Sequence, residues 1–428
     1  MNTTTSEKYL ALISKYYVAL VCSAILLGFV FLYVLMPVYG MSTVWSVPYF
    51  SGAANTQWGG EWLFAPMDVQ NYKAISGFDI YLYEFQSYPS SELASYTYNT
   101  TAYLYLVKIA HTIFPFLGQV GAIVLLQLVV HLAIVVSVNS KIPGAAYKLL
   151  FVFFYAINPL ILYITLMPFY YFWSVLGSAG ALLIFLSPRS NIFKVLGLVS
   201  LIVIGFLTRA TVFPLIVFVV MALLYYRQFI SAAVAVAWVF VVVFLYNAHI
   251  NQTVGYGPWH TAFIGIGAYP NPYPYLYDLS DDRGIERYES LTGTELSTSI
   301  GGNFYEEEVK SHYTEIMQAE YWQIAQENPF MMIRNVVLNT LQFYSVGHLA
   351  NRSYLLNLII SLSGLTVFIF LLIYRAYAYL LLIFFTGFGV AMLYPPIPAY
   401  NFATYLVLVV SLITTYHQKI QTPKNILV

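Results

Sequence analysis

Carboxylates are scarce in this chain of 428 residues, of which 8% are charged, and their positions are therefore informative. Five of them fall in one polar stretch after the first apolar segment: Glu61, Asp68, Asp79, Glu84 and Glu92. A positioned aspartate can accept a proton from a reacting hydroxyl group. We take Asp68, in the run 67–76, as the main candidate for a catalytic base and Asp79 as its rival. The structural alternative is that both carboxylates are simply solvated.

The composition is that of a membrane protein. Hydrophobic residues make up 60% of the chain and aromatic residues 18%, whereas a typical soluble domain has about a quarter of its residues charged. Repeated apolar stretches of about 20 residues can each cross the hydrocarbon layer as a helix. They favour a helical bundle over a barrel. We therefore predict an all-α polytopic membrane protein with about ten transmembrane helices and two large exterior loops that contain interfacial helices.

Ten apolar segments are candidate spans: 18–36, 120–138, 147–167, 169–186, 192–207, 211–224, 230–246, 353–373, 377–393 and 404–416. Lys and Arg residues such as Lys15, Lys141, Arg227 and Arg375 fall on one side of this arrangement, with both termini. Because short cytoplasmic loops collect basic residues, that side is expected to be the cytoplasm. Of the 18 Asp and Glu residues, five lie in the stretch above and twelve between positions 278 and 327, so the acidic segments are predicted to be exterior.

The chain accordingly divides into seven parts. They are a cytoplasmic N-terminus (1–17), a first transmembrane helix (18–36), a first polar segment (37–119), a bundle of six spans (120–246), a second polar segment (247–352), three C-terminal spans (353–416) and a cytoplasmic tail (417–428). No basic patch suited to nucleic acid is present. Cys22 is the only cysteine, so no intrachain disulfide can hold the polar segments. This favours a prokaryotic cytoplasmic (inner) membrane, with any active site on the exterior face.

Both polar segments contain helical patterns. Residues 102–116 are too short to span a membrane and mix Lys108 and His111 with apolar residues, which predicts an interfacial helix. Residues 255–275 are rich in Gly, Pro and Tyr and predict an ordered irregular loop, whose aromatic rings suit carbohydrate. Residues 305–328 carry an apolar helical stripe, and Pro329 is expected to begin another helix over 330–344.

These features resemble the GT-C glycosyltransferases, polytopic enzymes that use sugars linked to polyprenyl phosphate as donors. The resemblance is carried by one span followed by a large loop with Asp68, Tyr72, Ile75 and Ser76, and then by an interfacial helix. Segments 157–159, 207–211 and 395–402 also look like recurrent segments of that class. Several of its families end the acidic motif as Asp-Glu, whereas Val69 follows Asp68 here. This departure leaves the subfamily open.

The resemblance implies a polyprenyl-phosphate-linked sugar donor and a glycan, glycolipid or protein acceptor. Transfer to a hydroxyl requires a base near the acceptor and a cation near the departing phosphate. Asp68 would deprotonate the acceptor in an inverting attack, and Arg209 would bind the phosphate, because guanidinium groups suit phosphate oxygens. Arg334 and Arg352 are alternative phosphate ligands. All three arginines could instead be interfacial anchors.

Further substrate contacts are expected from Tyr72, Trp259 and His260, although a structural hydrogen bond is the more common role for a histidine such as His260. No cofactor is required by this chemistry, and a divalent cation could assist it. No metal site is predicted, because HExxH and CxxC motifs are absent, as is a Gly-rich phosphate loop.

Two other classes of function compete with glycosyl transfer. An O-antigen-type polymerase or ligase would use Arg283, Arg287 and His312 of the second polar segment. A lipid or sugar transporter would place ionisable groups inside its spans, where this chain has almost none.

Overall fold

The computed structural model describes residues 17–28, 30, 44–75, 79–96, 101–187, 191–249, 258–298, 302–349, 353–391 and 393–421. Almost all of these residues lie in helices or in short connections between them. The only strands in the described ranges are β1 (Leu63–Phe64) and β2 (Ala94–Ser95), which pair antiparallel. The predicted all-α class is therefore confirmed.

Eleven helices form the apolar part of the chain within the described residues, and nine of them come first, with a π-helical turn, two 3₁₀ turns and a bend between them. They are α1 (Tyr17–Gly28), α6 (Gln119–Asn139), α7 (Ala145–Phe151) with the π-helical turn Val152–Ala156, α8 (Pro159–Leu166), α9 (Ser174–Phe185) after the 3₁₀ turn Tyr170–Trp173, α10 (Ile192–Thr208), α11 (Phe213–Tyr225) after the 3₁₀ turn Ala210–Val212, α12 (Phe229–His249) and α17 (Tyr354–Ile373). Two more complete the bundle near the C-terminus: α18 (Tyr377–Ala391) and α19 (Pro398–Gln421).

Four of these helices, α6, α12, α17 and α19, are long and apolar enough to cross a membrane. The bent pair formed by residues Ala145–Ala156 and Pro159–Leu166 raises this number to five if it is one span. Five shorter apolar helices of 10–17 residues occupy the remaining predicted positions in the described part of the chain. A membrane protein is thus indicated, and the total of ten spans remains a prediction.

The bend between α7 and α8 amounts to 51°. It lies at Asn158 and Pro159, where proline has no backbone N–H to continue the helix. Asn158 then caps α8, because its side chain accepts a hydrogen bond from the backbone N–H of Leu160. The predicted span 147–167 is therefore two helices with different axes.

The first polar segment forms short helices that pack on the bundle. They are the 3₁₀ turn Val44–Ser46, α2 (Val47–Asn55), α3 (Pro66–Ala74), α4 (Asp79–Leu82), the 3₁₀ turn Ser90–Glu92 and α5 (Ala102–Ile113). Helix α5 buries Tyr103, Leu104 and Val107 while Ile109 and Ile113 are exposed. The Lys108 ammonium donates to the Thr56 carbonyl at 2.6 Å. The predicted short helix is confirmed, and its place at a membrane interface remains a prediction.

The second polar segment has its own hydrophobic core. Its elements are α13 (Trp259–Gly265) with the 3₁₀ turn Ile266–Ala268, α14 (Asp281–Thr292), the 3₁₀ turn Asn303–Tyr305, α15 (Glu307–Glu327) and α16 (Pro329–Gln342). The predicted stripe of α15 faces this core, since Tyr313, Met317 and Ile324 are buried in it. Pro329 begins α16 as predicted.

One element of this segment differs from its prediction. We expected residues 255–275 to be irregular, yet α13 forms within them. Ala262, Phe263 and Ile264 of α13 are buried in the core that they share with Tyr313 and Met317. Burial of this apolar run stabilises a helix that the Gly- and Pro-rich composition did not indicate. Within the described residues of this stretch, 258–275, irregular chain follows Ala268.

Candidate functional site

Asp68 lies in the first turn of α3, which begins at Pro66. Its side chain is fully buried, with 0% of the residue exposed. Oδ1 accepts a hydrogen bond from the Tyr88 hydroxyl at 3.0 Å, and the Ser51 hydroxyl of α2 also bonds to the carboxyl group. Burial raises the pKa of Asp68, and the hydroxyls of Ser51 and Tyr88 lower it by a smaller amount. Asp68 is therefore not a solvated loop residue.

The other predicted residues of this segment have different environments. Tyr72, one turn after Asp68, is buried, and its ring packs against Phe50 and Phe85 with centroid separations of 6.4 and 6.0 Å. Asp79 begins α4 and is exposed to solvent. The rival carboxylate is thus solvated, whereas Asp68 is part of the packed interior.

Arg209 ends α10 in an extended conformation, at the break before α11. Only 7% of the residue is exposed. Its guanidinium carbon lies 4.1 Å from the ring centre of Tyr400, 4.7 Å from that of Tyr171 and 5.8 Å from that of Tyr170. We call these three residues the tyrosine cage. Cation–π attraction to such rings stabilises a guanidinium charge by about 0.5–2 kcal/mol.

The tyrosine cage leaves part of the guanidinium without partners. Among the described residues, Arg209 forms no ion pair with a carboxylate, and its buried Nη1 has no hydrogen-bond acceptor. A buried charged donor without an acceptor costs at least about 1–3 kcal/mol. Aromatic rings attract the charge but do not accept these N–H groups in the way that an oxygen does. The arrangement favours an anionic ligand at Nη1.

A second carboxylate lies in this region. Asp281 is the first residue of α14, and its Oδ1 is 3.2 Å from Nε2 of His260. Nδ1 of His260 is 2.6 Å from the Tyr313 hydroxyl. Because a carboxylate only accepts hydrogen bonds, Nε2 is the nitrogen that carries the proton. The hydrogen bond from His260 lowers the pKa of Asp281, against an opposing effect of burial.

Asp281 is exposed, although protein surrounds part of its side chain. Its side chain keeps 84% of its accessible surface, yet enough protein surrounds it for burial to affect its pKa. The hydroxyl groups of Tyr171 and Tyr400 lie within electrostatic range of both Asp281 and Arg209. Asp281 and Arg209 therefore face the same two tyrosines without being paired with each other.

Packing brings α13, which contacts α14, close to the turn before α19. Tyr394 precedes α19 and stacks edge-on against Tyr400 at 5.5 Å, and it is also within electrostatic range of Asp281. Gly265 of α13 lies so close to this turn that an added Cβ would be 2.5 Å from the Leu393 carbonyl oxygen. The second polar segment thus contacts the start of the last helix beside Arg209.

Asp68 and Arg209 are not brought into contact. Asp68 bonds to Ser51 of α2, whereas Tyr49 of the same helix contacts Tyr170 at 6.2 Å, on the side of the tyrosine cage. Residues two apart on a helix point to different faces. Helix α2 therefore lies between the two predicted residues.

The remaining candidates have protein partners or lie outside the described residues. Arg334 donates to the Pro270 carbonyl at 2.6 Å and to the Asn335 side chain at 2.9 Å. Trp259 packs against Tyr321 and Trp322, each at 5.8 Å. Arg352 is outside the described residues. Of the three arginines predicted to bind phosphate, Arg209 is the one whose described environment leaves a donor open.

The residues of the alternative polymerase reaction are held within the second polar segment. Arg283 pairs with Asp278 at 3.1 Å and with Glu286. Arg287 pairs with Glu320 at 2.7 Å, and Nδ1 of His312 bonds to the Tyr288 hydroxyl at 3.1 Å. These contacts give each of the three residues a structural role.

The three later segments that carry the family resemblance come together. Asn158 lines the same small cavity as Asn401 and Phe402, which belong to segment 395–402. Tyr400 of that segment covers Arg209 of segment 207–211. Residues far apart in the sequence therefore form one region around the end of α10.

Sequence reasoning underrated Asp281 and did not single out the cage tyrosines. In the sequence, the run Asp281, Asp282 and Arg283 is compatible with a cation site or with a turn that contains a local ion pair, but Asp281 starts a helix whose cap is Ser280. The 40 tyrosines of the chain hide the few that surround Arg209. His348 was also missed: it is 1% exposed, and neither ring nitrogen has a hydrogen-bond partner among the described residues.

In the part of the chain that the structure describes, no three His, Cys, Asp or Glu side chains are grouped closely enough to hold a metal ion. No protein-family model, curated protein or solved structure matches this chain.

Proposed function

We propose that this protein is a membrane glycosyltransferase that moves a sugar from a polyprenyl-phosphate donor to a hydroxyl group of a glycan, glycolipid or protein. The observation that carries the proposal is Arg209, a buried guanidinium for which the described residues provide neither a carboxylate partner nor an acceptor at Nη1. A phosphate monoester or diester provides the charge and the acceptor oxygens that this group lacks.

The position of Arg209 supports a lipid-linked donor. The residue ends an apolar helix and is covered by tyrosines from two other apolar helices. A phosphate held there would have its hydrocarbon chain beside apolar helices and its sugar directed toward the polar segments. Tyrosine rings and hydroxyls near the phosphate offer both stacking and hydrogen bonds to a sugar.

The reaction needs two protein functions at this point. Arg209 would neutralise the phosphate as the bond to the anomeric carbon breaks, which stabilises the leaving group. A carboxylate base would accept the proton of the attacking hydroxyl. Asp68, with Asp79 as the alternative, is the candidate for that base from sequence. We place the reaction on the exterior face of a prokaryotic inner membrane, in keeping with the predicted topology.

Calorimetric titration of purified protein in nanodiscs with polyprenyl monophosphate tests the phosphate site. Arg209→Gln is expected to weaken binding roughly 10- to 100-fold, because a hydrogen bond to a charged group contributes about 1.5–3 kcal/mol. Arg334→Gln is the matched control and should keep the wild-type affinity within about threefold. Inorganic phosphate, titrated in parallel, shows whether the lipid chain contributes. Equal affinity of Arg209→Gln and wild type would contradict the proposal.

Transfer itself is measured in proteoliposomes that contain a panel of radiolabelled polyprenyl-monophosphate hexoses and pentoses. The expected result is release of free polyprenyl monophosphate with at least one donor and loss of that release in Arg209→Gln. Release at the same rate in protein-free liposomes would rule out transfer by this protein.

A further inference from the structure

We infer that Asp281, oriented by His260, is the residue that accepts the proton from the attacking hydroxyl at the Arg209 site. This inference rests on the proposed function and deepens it. It assigns the base to the second polar segment, whereas the sequence had suggested the first.

Asp281 lies within electrostatic range of Tyr171 and Tyr400, the same tyrosines whose rings lie 4.7 and 4.1 Å from the Arg209 guanidinium carbon. Asp68 lies within electrostatic range of Tyr83 and Tyr88 instead. The carboxylate that shares surroundings with the open donor of Arg209 is therefore Asp281.

Asp281 is accessible to a substrate. A base must reach a substrate hydroxyl, and the Asp281 side chain is 84% accessible at the edge of a region that is otherwise closely packed. Asp68 has no accessible surface. A bound acceptor can approach Asp281 without rearrangement of the protein, whereas Asp68 would first have to be uncovered.

Hydrogen bonding and close packing orient the carboxylate of Asp281. His260 contacts Oδ1 of Asp281 and thereby fixes one of the two carboxylate oxygens. His260 is fixed in turn by the Tyr313 hydroxyl. Gly284, one turn after Asp281, lies so close that an added Cβ would be 2.3 Å from the Tyr313 hydroxyl and 2.9 Å from His260 Nδ1. Close packing of these helices therefore sets the direction of the carboxylate, and His260 is a positioning residue.

The hydroxyl proton of the acceptor moves to the carboxylate of Asp281 while the hydroxyl oxygen bonds to the anomeric carbon of the sugar. The bond between that carbon and the phosphate oxygen breaks, and its electron pair leaves on the phosphate, which Arg209 holds. The products are the new glycoside, polyprenyl phosphate and a protonated Asp281, which returns its proton to water.

The decisive experiment compares single-turnover transfer in proteoliposomes for Asp281→Asn, Asp282→Asn and Asp68→Asn, with the radiolabelled donor that the wild-type protein uses. Asp281→Asn is expected to lose about 10²–10⁴-fold in rate while its calorimetric affinity for polyprenyl monophosphate stays within about threefold of wild type. Asp282→Asn, which alters the neighbouring carboxylate, should keep the wild-type rate within about threefold, and Asp68→Asn should lose less than tenfold.

The pH profile of transfer separates proton acceptance from a structural role. The groups that face Asp281 are His260 from α13 and the hydroxyls of Tyr171, Tyr394 and Tyr400. Since His260 lowers the pKa of Asp281, His260→Asn should move the acidic limb of the profile to higher pH. Asp68→Asn should leave that limb in place.

The outcomes distinguish the two proposals. The assignment of Asp281 is overturned if Asp281→Asn transfers the sugar at the wild-type rate, or if the acidic limb of the pH profile does not move in His260→Asn. Either result leaves the glycosyltransferase proposal standing. A wild-type protein that neither binds polyprenyl monophosphate nor transfers from any donor of the panel overturns both.

Discussion

At the scale of single residues, Asp68 and Asp281 show how differently two carboxylates of one chain can be used. Asp68 is buried among hydroxyl groups, and burial raises its pKa. Asp281 is open, and a hydrogen bond from His260 lowers its pKa. The lowered pKa keeps Asp281 ionised down to lower pH, whereas the raised pKa makes the Asp68 carboxylate the stronger base once it is ionised.

The Tyr88 hydroxyl should be one of the groups that keep Asp68 ionised. We expect Tyr88→Phe to raise the pKa of Asp68, because the variant loses a hydrogen bond to a charged acceptor, worth about 1.5–3 kcal/mol. Infrared titration of the protonated carboxyl band measures this, with Asp68→Asn to assign the band. Tyr83→Phe is the control, since Tyr83 bonds to Asn71. Equal shifts in both variants would contradict the expectation.

The same residue gives the protein a pH dependence with a definite sign. Because the folded-state pKa of Asp68 lies above the ordinary value of an aspartate, the folded chain binds this proton more tightly than the unfolded chain. Its contribution to stability is therefore present at low pH and is lost as pH rises through the folded-state pKa. As pH rises through the folded-state pKa of Asp68, the free energy of unfolding of Asp68→Asn should fall less steeply than that of the wild-type protein.

At the scale of helices, glycines determine how closely α9 and α10 approach. A Cβ added at Gly180 of α9 would lie 2.7 Å from the Leu198 carbonyl oxygen and 2.8 Å from Cγ1 of Ile202. Gly197 of α10 has open space around it. This close approach holds the end of α10, and with it Arg209, beside the tyrosines that precede α9.

The two glycines form a matched pair for a stability measurement. Gly180→Ala should destabilise the protein by about 1–3 kcal/mol, because the added methyl group forces the helices apart. Gly197→Ala should stabilise it by about 0.5–1 kcal/mol, because alanine favours a helix over glycine. Unfolding by sodium dodecyl sulfate in mixed micelles gives both values. A loss of stability in Gly197→Ala equal to that in Gly180→Ala would refute this account of the interface.

Local patterns predicted helices well and their meeting points poorly. The span 353–373 corresponds to α17, and the stripe of α15 with Tyr313 and Met317 faces the core of the second polar segment, because helical periodicity is visible in adjacent residues. Helix α13 was missed because tertiary burial outweighs its Gly- and Pro-rich surroundings. The contact between Arg209 and Tyr400, and the approach of Asp281, depend on packing between distant parts of the chain that periodicity does not encode.

At the scale of the whole molecule, the two polar segments and the apolar helices are distinct regions. Helix α19 is central, because 72% of its 18-residue apolar stretch is buried inside the protein. Helix α12 is peripheral, because only 11% of its apolar stretch is buried. Exposed apolar residues of α12, such as Phe240 and Phe244, suit contact with lipid. The predicted topology places the second polar segment outside and the α6–α7 connection in the cytoplasm.

This topology is tested by labelling in a Cys22→Ser background. Gln318 lies in the second polar segment and is exposed. The variant Gln318→Cys should react with a membrane-impermeant maleimide in intact cells. Lys141→Cys, which is also exposed, should react only after the membrane is permeabilised. Reaction of both variants in intact cells would reject the predicted orientation.

The contact of Tyr400 with Arg209 joins α10 to the beginning of the last helix. During synthesis, Arg209 leaves the ribosome long before α19 does. Until Tyr400 has been synthesised, the guanidinium has only Tyr170 and Tyr171 of the tyrosine cage beside it. The tyrosine cage is therefore complete only after α19 has packed against α10, so the proposed phosphate site would depend on a helix that is made almost two hundred residues later.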